Sequence, residues 1–249
     1  MQVLMESSAF PNYNAVVLAK IKKNALFLGS VIGNYRLFLP GFRLFKQRFP
    51  KLTTAKTDIC IDGYPRSGNT YIVSAFLGWN RGQGLIASHH SHLAGNIKYA
   101  LKRKIPTVVL IRKPEDAVSS VLVWDGLLNT TVALVGYIHF YNTLWKHQQD
   151  FLILCFDDVI KRPDICVQSI NQRFNSKFCS RQFSAEEDSK IRIRLKKADL
   201  LYHREGANAS LPNPQKSQLK KKYSKRIQNN PLFPYAKRLF DKYSSLAKK

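Results

Sequence analysis

The chain has 249 residues and a formal net charge of +24, with 45% hydrophobic and 12% aromatic residues. This apolar content excludes a disordered chain, and 12 glycines and 11 prolines without a period exclude a collagen-like one. A chain of this length is expected to form one domain over residues 1–249, and its charge favours an anionic ligand or an anionic surface.

The first 50 residues are predicted to form a helical extension. Glu6 precedes every lysine of this segment, which is unlike a secretory signal, and its uncharged stretch 24–35 has 12 residues, whereas a membrane-spanning helix needs about 20. Four cysteines without a CxxC pair are predicted to be buried, reduced thiols of a cytoplasmic protein. The segment also contains an aromatic stripe with basic flanks, formed by Phe38, Phe42, Phe45 and Phe49. The stripe is expected to pack on the domain or, alternatively, to make a peripheral contact with an anionic membrane.

Strands and helices alternate from residue 58 to residue 174. The predicted strands are short and apolar, at residues 58–62, 84–87, 106–111 and 151–156. The predicted helices lie at residues 67–77, 96–104, 115–124, 132–149 and 163–174. This alternation predicts an α/β fold of three layers, with a central parallel sheet and helices on both faces. The core is expected to span about residues 55–206, and residues 207–249 to form a basic helical part of the same domain.

A turn with two glycines joins the first predicted strand to its helix, at residues 63–70 (GYPRSGNT). The spacing Gly63-x4-Gly68-x-Thr70 is that of a P-loop, in which backbone N–H groups and a helix N-terminus bind a phosphate. Asn69 stands where a P-loop has lysine, and the cation is instead Arg66, which can pair with a phosphate without a metal. The turn therefore predicts an anion site.

A second cation follows the predicted strand 106–111. Arg112 ends this strand, and Ser120 lies eight residues further on, two turns into the next helix. Because ligands of parallel sheets bind at the carboxyl ends of the strands, these two side chains are expected to hold an anionic group beside the first site.

The two motifs resemble those of the sulfotransferases that use 3′-phosphoadenosine 5′-phosphosulfate (PAPS). Residues 64–71 (YPRSGNTY) are similar to the family's 5′-phosphosulfate loop, usually YPKSGTTW, and residues 112–120 are similar to its 3′-phosphate motif. Residues 204–206 (REG) are similar to its late RKG element. The resemblance covers about residues 58–175 and implies PAPS as co-substrate, 3′-phosphoadenosine 5′-phosphate (PAP) as product, and no metal. It assigns the nucleotide to Arg66, Ser67, Gly68, Asn69, Thr70, Tyr71, Arg112, Ser120 and Arg204.

The base is expected among the histidines. Sulfuryl transfer requires a group that deprotonates the attacking hydroxyl or amine, and histidine titrates near neutral pH. Residues 91–94 (SHLA) resemble the family's THLP element, which assigns the base to His92; His90 is the alternative, expected on the same face of an extended segment. Arg66 would also act in catalysis, because a cation steadies the departing phosphate.

Two other functions remain open. A P-loop kinase or triphosphatase would use Thr70 for magnesium and Asp157 as the acid after a strand. A non-enzymatic polyanion-binding protein would use the last 60 residues, where 17 Lys and Arg stand against 3 Asp and Glu. The sequence leaves the acceptor of a sulfotransferase open between a saccharide and a lipid, and specific nucleic-acid binding is not expected.

Overall fold

A computed structural model describes residues 13–32, 52–201, 211 and 214–247. The strands are β1 (Ile59–Gly63), β2 (Ala87–His89), β3 (Thr107–Ile111) and β4 (Leu152–Cys155). The helices are α1 (Tyr13–Ile32), α2 (Asn69–Trp79), α3 (Ala94–Lys102), α4 (Pro114–Trp124), α5 (Thr130–Leu144), α6 (Phe156–Lys161), α7 (Pro163–Phe174), α8 (Ala185–Leu201), α9 (Pro214–Gln228) and α10 (Phe233–Ala247).

The four strands form one parallel sheet in the order β2-β1-β3-β4. β1 is hydrogen-bonded to both β2 and β3, so the segments that follow these three strands leave the sheet at the same edge. The predicted α/β fold with a central parallel sheet is therefore confirmed. The edge where the strands end is where ligands of such sheets bind.

Helices cover both faces of the sheet, and the two central strands β1 and β3 are buried along their whole length. Side chains of one face, such as Cys60 and Val109, pack against α3, α4, α5 and α10. Side chains of the other face, such as Ile61 and Val108, pack against α2, α6, α7 and α8. A strand buried on both faces has a continuous apolar run instead of an alternating one. This is the pattern from which the strands were predicted.

Two predicted features differ from the structure in detail. β2 begins at Ala87 instead of residue 84, because Gly82 and Gly84 have φ values of 92° and 67° and form the turn before it. The prediction that all four cysteines are buried is wrong for Cys179, which is exposed, and for Cys155, which is only partly buried.

The N-terminal helix α1 packs against α5. The Asn24 side chain fixes it there: its Oδ1 accepts from the backbone N–H of Asn129 at 2.9 Å, and its Nδ2 donates to the carbonyl of Leu127 at 3.2 Å. The predicted aromatic stripe at residues 38–49 lies outside the described residues. Within the part of the chain that the structure describes, no helix is long and apolar enough to cross a membrane.

Candidate functional site

Two glycines shape the turn between β1 and α2. A Cβ at position 63 would lie 2.5 Å from the carbonyl oxygen of Leu110 on β3, so the two backbones approach closely only because Gly63 has no side chain. Gly68 caps the N-terminus of α2 with a φ of 98°, in the left-handed region that favours glycine. The turn thus brings residues 64–67 to the N-terminus of an 11-residue helix, where partial positive charge suits an anion.

The two predicted arginines meet beside this turn. Arg112 follows β3 and donates from Nη1 to the carbonyl oxygen of Arg66 at 3.0 Å. Arg66 donates from Nε to the Oγ of Ser120 at 3.1 Å. The structure therefore brings together the cation of the first motif with the cation and the hydroxyl of the second. Two cations and a hydroxyl at the ends of adjacent strands are the groups that hold an anion.

Arg112 is held in a partly buried position. Its guanidinium carbon lies 3.7 Å from the centroid of the Phe156 ring, and its Nε is buried with no hydrogen-bond partner in the described part of the chain. Burial lowers the pKa of Arg112, while the charges of Asp116 and Asp157 oppose this shift. An arginine remains charged under such conditions, so a buried donor is left ready for an anionic acceptor.

Ser67 and Asn69 lie inside the turn. Ser67 is fully buried, and its Oγ is 3.4 Å from the hydroxyl of Tyr141. Asn69 is 3% exposed, and its Oδ1 has no hydrogen-bond partner among the described groups. Both side chains are therefore packed inside the turn. The side-chain Oδ1 of Asn69 is an open acceptor at the start of α2.

Thr70 and Tyr71 point to different neighbours. The Thr70 Oγ1 is 3.1 Å from Nε2 of His90, which ties α2 to the histidine segment. The Tyr71 hydroxyl donates to Oδ1 of Asp188 on α8 at 2.5 Å, and its backbone N–H donates to the Gly68 carbonyl at 3.1 Å. Both donors of Tyr71 are thus used within the protein. Arg204, the last predicted nucleotide ligand, lies outside the described residues.

His92 follows β2 by three residues, contacts the last residue of β1, and is paired with an acid that the sequence reasoning missed. Its Nδ1 is 2.7 Å from the carbonyl oxygen of Gly63, which can only accept, so Nδ1 carries a proton and Nε2 has the lone pair in the neutral ring. The fully buried Asp62 has its Oδ1 3.4 Å from the same Nδ1. Asp62 also accepts from the backbone N–H and the hydroxyl of Ser91, at 2.9 and 2.6 Å.

This pairing sets the charge of both groups. Burial alone would lower the pKa of His92, but the hydrogen bond and charge of Asp62, with the Gly63 carbonyl, outweigh it and raise the pKa above 6.5; Arg66 partly opposes the rise. Burial would raise the pKa of Asp62, but His92, Ser91 and the Gly63 N–H hold it below its ordinary value. The result is a carboxylate that orients an imidazole and stabilises it after Nε2 has taken a proton.

His90 has a different environment. Its Nε2 contacts Thr70, and its Nδ1 is 2.5 Å from Nδ1 of His89, so both ring nitrogens have partners within the described residues. The prediction of an extended segment is wrong, because His90 and His92 have φ values of 57° and 54°. The left-handed turn brings the successive N–H groups of Ser91 and His92 onto the one carboxylate of Asp62. Geometry therefore favours His92 over His90 as a base.

A signal for Asp62 is visible in the sequence. It is an acidic residue at the end of an otherwise apolar, fully buried strand, one position before the glycine turn. A buried carboxylate requires several hydrogen-bond donors. A buried carboxylate at the edge of a candidate site therefore indicates that one of its donors has a functional role.

The kinase alternative assigns magnesium to Thr70 and the acid role to Asp157. Asp157 is exposed in the first turn of the short helix α6, and the Thr70 hydroxyl is engaged with His90. Among the residues with assigned positions, no group of three or more His, Cys, Asp and Glu side chains is arranged to hold a metal ion.

No protein-family model matches this sequence, and no curated protein matches it. Among solved structures, the fold is similar to that in the crystal structure of mouse sulfotransferase SULT7A1 complexed with PAP. The two chains share 12% identity, the match covers 79% of this chain and 93% of the mouse chain, and the TM-score is 0.40.

Proposed function

We propose that this protein is a sulfotransferase that moves the sulfuryl group of PAPS to a hydroxyl or amine of an acceptor. The observation that supports it most is the contact of Arg66 with Ser120 and of Arg112 with Arg66, which joins the two motifs that resemble the family's 5′ and 3′ nucleotide motifs. The site lies where β1 and β3 end, the expected place for a nucleotide on a parallel sheet.

In this proposal each end of the nucleotide has its own set of groups. The turn at residues 66–70 and the N-terminus of α2 hold the 5′-phosphosulfate, and Arg112 with Ser120 holds the 3′-phosphate. Arg66, the first residue of this turn, also contacts Ser120 of the second set and neutralises charge on the departing 5′-phosphate. Binding relies on guanidinium groups and backbone amides, so the proposal includes no metal.

The Asp62–His92 pair supplies the base. His92 accepts the acceptor's proton at Nε2 while the acceptor oxygen or nitrogen forms its bond to sulfur. The bond between sulfur and the 5′-phosphate oxygen breaks, and its electron pair leaves with PAP. Asp62 stabilises the imidazolium that results. A positioned base of this kind contributes a factor of roughly 10² to 10⁴ in rate.

The proposal extends to the setting of the reaction. We place the protein in the cytoplasm, with residues 1–249 as one domain, and take a saccharide or a lipid as the acceptor class. A peripheral contact with an anionic membrane through the N-terminal aromatic stripe would bring a lipid acceptor to the site.

Calorimetry without added metal tests the nucleotide assignment. We expect PAP to bind at least tenfold more tightly than ATP, because ATP has no 3′-phosphate for Arg112. A preference for ATP, or magnesium-dependent ATP turnover, would instead support the kinase alternative. Tight nucleic-acid binding that falls steeply with salt and survives both Arg66→Ala and His92→Ala would support a polyanion-binding protein.

A further inference from the structure

Helix α9 buries one of its lysines and half-buries a second, and it packs on the helix that carries Ser120. α9 packs along α4, the helix that follows Arg112 and carries Ser120. Lys216 and Lys220 are four residues apart and therefore lie on one face of α9. Lys216 is 4% exposed and Lys220 is half-buried, whereas their neighbours Lys221 and Lys222 are exposed. The inward face of this basic helix thus differs from its solvated face.

The two inward lysines lie within electrostatic reach of both arginines. Burial, followed by repulsion from Arg66 and Lys220, lowers the pKa of Lys216 to about 8, against the opposing charge of Asp199. Burial, followed by repulsion from Arg112 and Arg66, lowers the pKa of Lys220 to about 8, against the opposing charge of Asp116. Among the charged groups that act on Lys220, Arg112, the proposed 3′-phosphate ligand, therefore has the largest effect.

A cluster of four cations is unfavourable by itself. Lysines are rarely buried unless an anion is present, because desolvation and mutual repulsion both oppose their charge. Asp116, Asp157 and Asp199 supply three negative charges against the four positive ones. A phosphate monoester bound among the four cations would neutralise the remaining positive charge and add charge-assisted hydrogen bonds.

We infer that α9 completes the nucleotide site: Lys220, supported by Lys216, binds the same 3′-phosphate as Arg112 and Ser120, and makes the protein select a 3′-phosphate over a 3′-hydroxyl. This inference rests on the proposed function and deepens it, since it assigns the selection between two nucleotides to a helix beyond the two motifs. The other lysines of α9 remain on the surface and take no part.

The test compares PAP with adenosine 5′-monophosphate, which lacks only the 3′-phosphate. Calorimetry measures both dissociation constants for the wild-type protein, for Lys220→Met and for the exposed control Lys221→Met. Methionine keeps the apolar stem of lysine and removes the charge. For Lys220→Met we expect the dissociation constant of PAP to rise about tenfold or more and that of the monophosphate to change less than twofold. The control should leave both constants unchanged.

A pH series gives a second readout. PAP binding to the wild type should weaken as the pH rises from 7 to 9, because Lys216 and Lys220 lose their protons in this range, and Lys220→Met should reduce that dependence. The guanidinium groups of Arg66 and Arg112 stay charged over the range. Thermal unfolding shows whether each variant is folded, and Lys220→Gln replaces Lys220→Met if the latter is not.

The outcomes separate the two proposals. If the wild type binds PAP and Lys220→Met retains the wild-type preference for PAP over the monophosphate, the inference is wrong and the proposed function stands. An equal loss of affinity for both nucleotides in Lys220→Met would also overturn the inference, since Lys220 would then not act on the 3′ position. If the wild type does not bind PAP, the proposed function itself fails, and the inference fails with it.

Discussion

The Nε of Arg66 and the Oγ of Ser120 are 3.1 Å apart, although 54 residues of sequence separate them. One residue belongs to the turn after β1 and the other to the second turn of α4, so a single hydrogen bond links the segments that follow two neighbouring strands. An anion that binds to one of these segments is therefore expected to change the position of the other segment. Binding at the two ends of one nucleotide is expected to be coupled through this contact.

Arg112→Ala should weaken PAP binding by roughly 10- to 100-fold, the usual effect of losing hydrogen bonds to a charged group. Arg112→Lys should restore only part of the affinity, because an ammonium group lacks the planar fork of a guanidinium. The control is Lys113→Ala, whose side chain is exposed in the next position. Calorimetry with PAP measures the effect. An unchanged dissociation constant in Arg112→Ala would remove this residue from the site.

His92→Gln should lower kcat by a factor of roughly 10² to 10⁴ and leave PAP affinity within about twofold, because the base acts on the acceptor's proton. Turnover is measured as PAP release from PAPS with an acceptor that the wild type uses. His147→Gln, in the short turn after α5, is the control and should behave like the wild type. Retained turnover in His92→Gln together with lost turnover in His90→Gln would transfer the role to His90.

Asp62→Asn should shift the pH profile of kcat/KM to lower pH. In the proposed mechanism the neutral form of His92 is the active one, so activity is expected to rise with pH through the pKa of this ring, which Asp62 and the Gly63 carbonyl hold above 6.5. Removing the carboxylate removes the main cause of the raised pKa and leaves the opposing charge of Arg66. The inflection should therefore move down, and kcat should fall because the imidazolium loses its counter-charge. A profile that keeps its inflection would show that Asp62 has only a structural role.

Gly63→Ala should destabilise the fold by about 1–3 kcal/mol, the range for an extra methyl group in a tightly packed region. The added Cβ would meet the backbone of Leu110 on β3, which cannot move without disturbing the sheet. Gly126→Ala is the matched control, because no atom lies within 4 Å of the added Cβ there, and its effect should stay within about 0.5 kcal/mol. Urea unfolding measures both values. Equal midpoints for the two variants would contradict the close approach at Gly63.

The parallel sheet and its turn were predictable because local pattern determines both. Continuous apolar runs such as residues 106–111 occur where a strand is buried on both faces, and a glycine-containing turn between such a strand and a helix marks a phosphate site. The cation at position 66 and the one at position 112 follow from the same reading, since parallel strands end at one edge.

The partners of these groups were not predictable from local pattern, because tertiary packing sets them. Asp62 is 29 residues from Ser91 in sequence, and only the pairing of β1 with β2 brings the carboxylate to the histidine segment. The left-handed turn at His90 follows from that carboxylate and not from the residues' own preferences. Similarly, the basic run 220–226 has no local feature that distinguishes Lys220 from its neighbours until α9 packs on α4.

Arg66, His90 and His92 all have positive φ, between 54° and 70°, and none of them is glycine. Each costs about 1–2 kcal/mol relative to an ordinary backbone conformation. Glycine at any of these positions would remove this strain, so selection for a higher melting temperature is expected to favour glycine there. At Arg66 and His92 such a gain would delete the guanidinium or the imidazole that is proposed to act in the reaction, so a trade between melting temperature and turnover is expected at these two positions. At His90 the gain would instead delete the contacts with Thr70 and His89.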